Sequence, residues 1–435
     1  MGALYIDGPG AQERTMKVRT FAAAVVMMGV SATTSALETL DEIYWPETGR
    51  FPAYPAERDD RPVRFFVQGG IDHDSNVFRL SDTTNPVAVL GTTAKSDTIY
   101  RAGAGLRADV LSGRQRFLVD VLAEYNDYDR FSLLDHTSYR ASATWRWVVG
   151  NQWSGDLGYR RRRFLSDFGD LQARIKDMIT EDRFYVSGGY LLTPRWRVRG
   201  AMDWYRYDHD NPTRIASDSR VWAGTAGLDY VTPAGNSVGG QIRYSEGEYP
   251  NRQAVGAALI LNDFEETETS VVVRWMATGK STLTARAGYT QREHSQVPQR
   301  DFDGFTGRLS YDWFVAPKTL LNFAIWREIR SIESADASYA LTTGWGIAPT
   351  WAPTEKIVLQ ARYFDEDRDY EGNPGLAVAG TPQRDDNIKG VSLTAGWTPR
   401  RNLQFSIGVE RGDRSSNLFG SYDYTLYSAN ARLRF

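Results

Sequence analysis

The chain has no cysteine, four histidines and seven lysines in 435 residues, and nowhere offers eighteen consecutive apolar residues. Each lack excludes something. Without cysteine there is no disulfide framework and no lipoprotein anchor behind an export signal. Without a long apolar run no helix spans a bilayer. The histidines, His73, His136, His209 and His294, are scattered and leave no zinc-binding spacing, and no glycine loop of the phosphate-cradling kind occurs. A formal net charge of −3 gives no footprint for nucleic acid, and no cofactor is expected.

What is present looks soluble at first: 24% of residues are charged and the mean hydropathy is −0.46. A membrane barrel gives the same average, because only alternate residues face lipid while the lumen stays polar. Aromatics reach 13%, with 23 Tyr and 13 Trp, rings that collect where hydrocarbon meets water.

Lys17 and Arg19 precede an apolar run from Phe21 to Val30 and small residues ending at Ala36, the pattern of a cleavable signal peptide over 1–36. Met16 is a candidate true start. Residues 37–61, acidic and Pro-containing with Tyr44, Trp45, Phe51 and Tyr54, read as a periplasmic arm.

From 62 to 435 the chain alternates with period two. Tyr100, Ala102, Ala104, Leu106, Ala108 and Val110 oppose Arg101, Gly103, Gly105, Arg107 and Asp109. Phe117, Val119, Val121, Ala123 and Tyr125 oppose Asp120, Glu124 and Asn126, and Leu283, Ala285, Ala287 and Tyr289 oppose Thr284, Arg286 and Thr290. Side chains on a strand point alternately to opposite faces, so these are lipid and lumen faces. Eighteen such segments are expected: 62–72, 97–111, 116–127, 137–149, 152–165, 179–192, 195–207, 220–231, 237–247, 266–277, 281–292, 305–314, 319–328, 338–348, 356–365, 388–398, 402–411 and 423–435. Short connectors, including Gly150–Asn151, Thr193–Pro194 and Pro349–Glu355, alternate with long ones. The fold class is therefore all-β, an antiparallel up-and-down transmembrane barrel of about eighteen strands in the bacterial outer membrane, with short periplasmic turns and long external loops. A soluble sandwich with one edge strand at its end does not produce this rhythm.

The last segment places Tyr427, Leu433 and Phe435 on alternate positions with an aromatic terminal residue, which resembles the insertion signal read by the barrel-assembly machinery. Gly70 to Asp82, Gly-Ile-Asp-His-Asp-Ser-Asn-Val-Phe-Arg-Leu-Ser-Asp, resembles the opening strand of the EpsL-like outer-membrane barrels associated with exopolysaccharide clusters. That resemblance implies export of a polysaccharide, with a periplasmic synthesis complex as partner. Strand number alone implies a lumen wide enough for water. A diffusion porin for small solutes or oligosaccharides, and a barrel filled by its own side chains, remain alternatives. Ordered external loops folded inward would favour the porin.

The lumen face is expected to carry Arg64, Arg101, Arg107, Arg140, Arg146, Arg160, Arg162, Arg183, Arg197, Arg199, Arg243, Arg274, Arg286, Arg308 and Arg362, joined by Arg432 and Arg434. Acids accompany them: Asp120, Glu124, Asp156, Asp203, Asp229, Glu268, Asp312, Glu328 and Glu410. Tyr185, Tyr205, Tyr207, Trp326 and Trp345 are the aromatic faces of the same track. Guanidinium forks suit carboxylates and hydroxyls, so this is either a solute path or the charge ladder that braces any wet barrel wall. Arg161, Arg163, Arg206, Arg327 and Arg411 fall on the other face, near the outer ends of strands. They read as a belt for lipopolysaccharide phosphate, unless a β-bulge turns Arg161 and Arg163 inward. No catalytic residue is expected, since Asp72, His73 and Asp74 alternate in direction along one strand. Asp72, Asp74 and Asn76 imitate a calcium loop, but Val77 replaces its glycine and Thr83 its closing glutamate, so no metal is expected.

Overall fold

Alternating segments long enough to cross hydrocarbon must pair all their backbone groups, and in the computed structural model they do so by closing on themselves. The structure describes residues 61–435 apart from 172–173, 253, 256–257, 260–261, 295–297, 332–337, 373–381 and 419. The expected signal peptide and nearly all of the arm lie outside the described residues. The barrel strands are β1 (Val63–Asp74), β2 (Asp97–Ser112), β3 (Gln115–Tyr128), β4 (His136–Val149), β5 (Trp153–Leu165), β6 (Met178–Thr193), β7 (Trp196–His209), β8 (Ser219–Val231) and β9 (Ser237–Glu248). After a small hairpin within 254–259 come β10 (Phe264–Thr278), β11 (Ser281–Glu293), β12 (Phe302–Ala316), β13 (Thr319–Ser331), β14 (Tyr339–Thr354), β15 (Ile357–Glu371), β16 (Asp385–Arg400), β17 (Leu403–Ser416) and β18 (Tyr422–Arg434). Each pairs antiparallel with the next, and β18 returns to β1, from Phe66 opposite Arg434 to Asp74 opposite Leu426. The eighteen-stranded sheet thus has no free edge.

Turns at one end are tight, with Gly113 and Gly150 at φ +61° and +59°, where residues with a side chain are strained. The long connections gather at the other end. The outer wall is apolar between two aromatic rings. Near the turns stand Phe117 with Trp145, Trp153 with Tyr190, Trp196 with Tyr230 and Trp397 with Phe405. Near the loops stand Trp222 with Tyr244, Tyr289 with Phe305 and Trp345 with Tyr363. From Phe117 to Tyr125 on β3 is about 27 Å along the strand, or roughly 20 Å of height at a tilt of about 40°. Val198, Met202, Leu228, Ile242, Val271, Leu393 and Ile407 lie exposed in that band. An apolar band of this height between aromatic girdles is the outer surface of an outer-membrane barrel, and that is where the chain resides.

Pairing continues past the apolar band into water, where both faces of a strand are polar, so the expected limits at the loop ends fall short. β16, expected over 388–398, runs from Asp385. One expected turn is a strand instead: β14 continues through Pro349 to Thr354, leaving the turn at 355–356. Pro349 has no N–H to give, and the ladder to β15 skips from Ile347–Tyr363 to Thr350–Gln360 around it. Register through Arg161 and Arg163 is unbroken on both sides of β5, so no bulge turns them inward.

At the seam, the Phe435 amide donates to the Phe65 carbonyl at 2.8 Å, and both rings are exposed in the ring nearest the turns. Phe435→Asp would put a second carboxylate at this lipid-facing end. The precursor should still be exported, while the fraction that is membrane-embedded and heat-modifiable on gels falls several-fold; normal amounts would remove Phe435 from the assembly signal.

Candidate functional site

Register assigns every side chain to a face. Gly70 lies opposite Arg101 and Ile71 opposite Tyr100; Ile71 and Tyr100 are exposed on the lipid side, so Arg101 points inward. The same alternation turns Arg64, Arg107, Arg140, Arg146, Arg160, Arg162, Arg183, Arg197, Arg199, Arg243, Arg274, Arg286, Arg308 and Arg362 into the lumen, with Asp120, Glu124, Tyr185, Tyr205 and Trp326. Trp345 is the exception and a correction: it faces lipid, opposite the exposed Ile325. The inward slots of β14 beside it belong to Gly344 and Gly346, over which the Trp326 indole lies. Residues that the alternation did not reveal also face inward: Arg292, Arg330, Arg368 and Arg414 with Glu181, Glu366 and Asp386. Several of these sit at outer strand ends, where apolar alternation has faded.

Loops pack against the wall in the outer half of the lumen. Behind β1, Asn76 bends the chain: its Oδ1 accepts from the Leu80 amide at 2.9 Å, and its Nδ2 donates to the Leu80 carbonyl at 2.9 Å and the Asp423 carbonyl at 3.1 Å. Arg79, at φ +52° the only described non-glycine residue with positive φ, is held by Asp74 at 2.8 Å and lies 3.7 Å over the Tyr424 ring. Left-handed backbone costs about 1–2 kcal/mol per residue, so the buried pair must hold it there. Burial disfavours the Arg79 charge, but Asp74 and Tyr424 outweigh it and raise its pKa. The turn delivers Phe78, fully buried, edge-on to Phe131 at 5.0 Å and Phe168 at 4.7 Å. Val77, Leu80, Leu90, Leu134 and Met178 complete an apolar core against the inward-facing Ile99 and Tyr128. Burying each large side chain contributes roughly 1.5–3 kcal/mol. Asp97 fixes the second loop by accepting from the Phe131 amide at 2.8 Å. The third loop reaches across to β17, where Arg414 donates to the Gly169 carbonyl and binds Asp386 at 3.1 Å.

A second cluster is built at the loop ends of β7–β14. Arg292 lies 3.9 Å over the Phe264 ring and pairs with Glu266 at 2.7 Å. His294 stacks on Tyr339 at 6.2 Å, while Asn262 donates to the Ser338 carbonyl at 3.0 Å and Arg252 to the Ala216 carbonyl at 3.0 Å. The other histidines also serve loop ends: His136 meets the Leu134 carbonyl at 2.7 Å, and His209 meets Asp218 at 3.1 Å. His73 points outward to Thr98, away from Asp72 and Asp74. Both acids already hold arginines, Asp72 with Arg101 at 2.8 Å and Asp74 with Arg79.

Wall charges divide along the same line. In the outer half they are buried and tied, such as Arg183 to Asp203 at 2.9 Å and Arg286 to Glu328 at 2.6 Å, with Arg308 on Glu328 at 3.3 Å. Toward the turns several face open water: the side chains of Arg107, Arg116, Arg140 and Arg146 are 50%, 44%, 41% and 39% exposed, while Arg432, Asp156 and Asp229 are buried. Here carboxylates are shared. Arg107 and Arg140 both hold Asp120, at 2.8 and 3.2 Å, and Arg197 and Arg199 both hold Asp229 at 2.8 Å. Arg432 binds the amide oxygen of Gln68 at 2.6 Å, and Arg434 that of Gln404 at 3.0 Å. The open vestibule is therefore cationic.

No protein-family model and no curated protein sequence matches the chain. Among solved structures it is similar to Pseudomonas aeruginosa OpdK with vanillate, at 8% identity and TM-score 0.46, covering 86% of this chain and 99% of that one. It is similar also to Acinetobacter baumannii OccAB3, at 9% and 0.45 over 86% and 99%, and to P. aeruginosa OccK2 in complex with glucuronate, at 10% and 0.47 over 86% and 98%. These are remote likenesses, and the barrel assignment rests on the strand pairing described above.

Burial and the neighbouring Arg292 push the His294 pKa down to about 4; Asp301 opposes this, and Arg300 adds to it. An unfolded histidine titrates near 6.5, so between about 6.5 and 4 the opened loop binds more protons than the packed one and stability falls with falling pH. Acidification through that window should raise amide exchange, corrected for intrinsic rates, around Phe264 and Tyr339, and His294→Gln should abolish the rise. A pH-independent opening would contradict the buried neutral state.

Proposed function

We propose that the barrel is a constricted diffusion porin that admits small anionic solutes. The observation that carries this reading is the pairing of a cationic, water-filled vestibule with an outer mouth narrowed by loops packed around Phe78. Guanidinium pairs that share one carboxylate keep donors turned toward the lumen, and such donors match carboxylate and phosphate groups bidentately. Excess positive charge lining a narrow aqueous path raises the local concentration of anions.

Export of a polysaccharide, implied by the resemblance over Gly70–Asp82, fits this mouth less well. A polymer in transit would have to pass the packed loops that hold Phe78 against Phe131 and Phe168 and Arg79 on Asp74. In that stretch Asp72 binds the wall, Asn76 makes the turn and Phe78 forms the core, so it serves to seat the first loop.

The test uses the exposed arginines of the vestibule wall, with heat-modifiability as the control for folding. Replacing Arg107, Arg140 and Arg146 together by Glu should keep the barrel heat-modifiable and move the reversal potential in planar bilayers from anion toward cation preference. Uptake of a small dicarboxylate into liposomes should fall about tenfold. Unchanged selectivity would mean that the vestibule is not on the path, and passage of a neutral polysaccharide through the native protein would favour export.

A further inference from the structure

Arginines at the outer rim of the lipid face gather on the four adjacent strands β5–β8. Arg161 on β5 lies opposite Asp182 on β6, Asp182 opposite Arg206 on β7, and Arg206 opposite Arg220 on β8, a single row across four strands. At a strand spacing of about 4.8 Å it is roughly 15 Å wide. The row stands one outward-facing position beyond Tyr159, Phe184, Trp204 and Trp222, which pair across the same strands as the outer aromatic ring.

Depth matters here. A cation facing lipid costs about 2–4 kcal/mol at the midplane and about 0–1 near the interface, so just past the aromatic ring these side chains sit at headgroup level. The guanidiniums are oriented in advance. Arg161 contacts Asp182 at 3.3 Å and the Tyr139 hydroxyl at 3.3 Å, Arg206 holds Asp208 at 2.7 Å, and Asp182 also accepts from the Tyr159 hydroxyl. Arg163, farther along β5, pairs with Asp210 at 2.9 Å; Glu248 stands opposite Arg220. Exposed pairs of this kind are worth about 0–1 kcal/mol, so they position the forks without closing them to a stronger acceptor. A phosphate brings three acceptor oxygens and close to two negative charges.

The rest of the rim differs. Arg327 on β13 meets Thr343, and Arg411 on β17 pairs with Asp423. On β9–β11 the outward residues that continue the aromatic row from Trp222 are acidic, Glu246 opposite Glu265 and Glu265 opposite Glu293. Of the five rim arginines expected from the sequence, Arg161, Arg163 and Arg206 therefore make a patch with Arg220, and Arg327 and Arg411 stand apart.

We propose that the outer face of β5–β8 binds the phosphorylated headgroup of an outer-leaflet glycolipid, its phosphate taken by Arg161, Arg206 and Arg220. The full-length protein, purified from outer membranes, is assayed by native mass spectrometry for bound lipopolysaccharide, beside Arg161→Gln/Arg206→Gln/Arg220→Gln and Arg327→Gln/Arg411→Gln. Expected is about tenfold less bound glycolipid in the triple variant, native retention in the double one, unchanged conductance in both, and no displacement by inorganic phosphate at the same phosphate concentration. Arg220→Glu alone, which breaks none of the ion pairs above, should lower retention about threefold and covers a folding defect in the triple variant. Native retention in the triple and Arg220→Glu variants, or equal loss in the Arg327/Arg411 control, overturns the site; displacement by inorganic phosphate overturns the lipid as its ligand.

Discussion

Hydrocarbon offers no partner to a peptide N–H or C=O, and each unsatisfied group there costs several kcal/mol. Everything else in this molecule follows from meeting that demand with strands. A sheet in lipid has to close, closure pairs β1 with β18, and antiparallel closure fixes an even number of strands. Once register is set, every side chain is committed to lipid or lumen, and an arginine can be placed by counting from Tyr100 or Phe117.

An eighteen-stranded circumference leaves a lumen too wide for wall side chains to fill, and the two halves of the barrel answer this differently. In the outer half, loops enter and build an apolar core against the wall, and wall charges around them are neutralised by buried partners such as Asp72 on Arg101 and Glu328 on Arg286. Breaking such a pair leaves a buried charge uncompensated, a cost of about 3–5 kcal/mol, so the loops are clamped rather than draped. Toward the turns the lumen stays wet, and arginines share carboxylates because water screens the excess. The packed loops and the exposed cationic wall thus lie at different depths.

Much of this was legible in the sequence because the barrel's period is two and its connectors alternate in length. Arg101, Arg286 and Trp326 declare their face through apolar neighbours at odd spacing. Trp345 did not, since Ile347, Pro349 and Trp351 follow it on one face while Gly344 and Gly346 give the other no polar mark. Pro349 looked like a turn because proline cannot donate to a ladder, yet a long strand tolerates one missing bond. The loops were the least readable part. Asp74, Asn76, Phe78 and Arg79 were visible as a motif, but their joint role depends on Phe131, Phe168 and Tyr424, which only tertiary structure brings to them.

The proposed porin narrows at its outer mouth and widens toward the periplasm. Partitioning of neutral poly(ethylene glycol)s of graded size, added to one side of a planar bilayer at a time, measures this directly through the drop in single-channel conductance. Intermediate sizes are expected to lower conductance when added from the periplasmic side and to be excluded from the outer side. Equal penetration from both sides would contradict the narrowing.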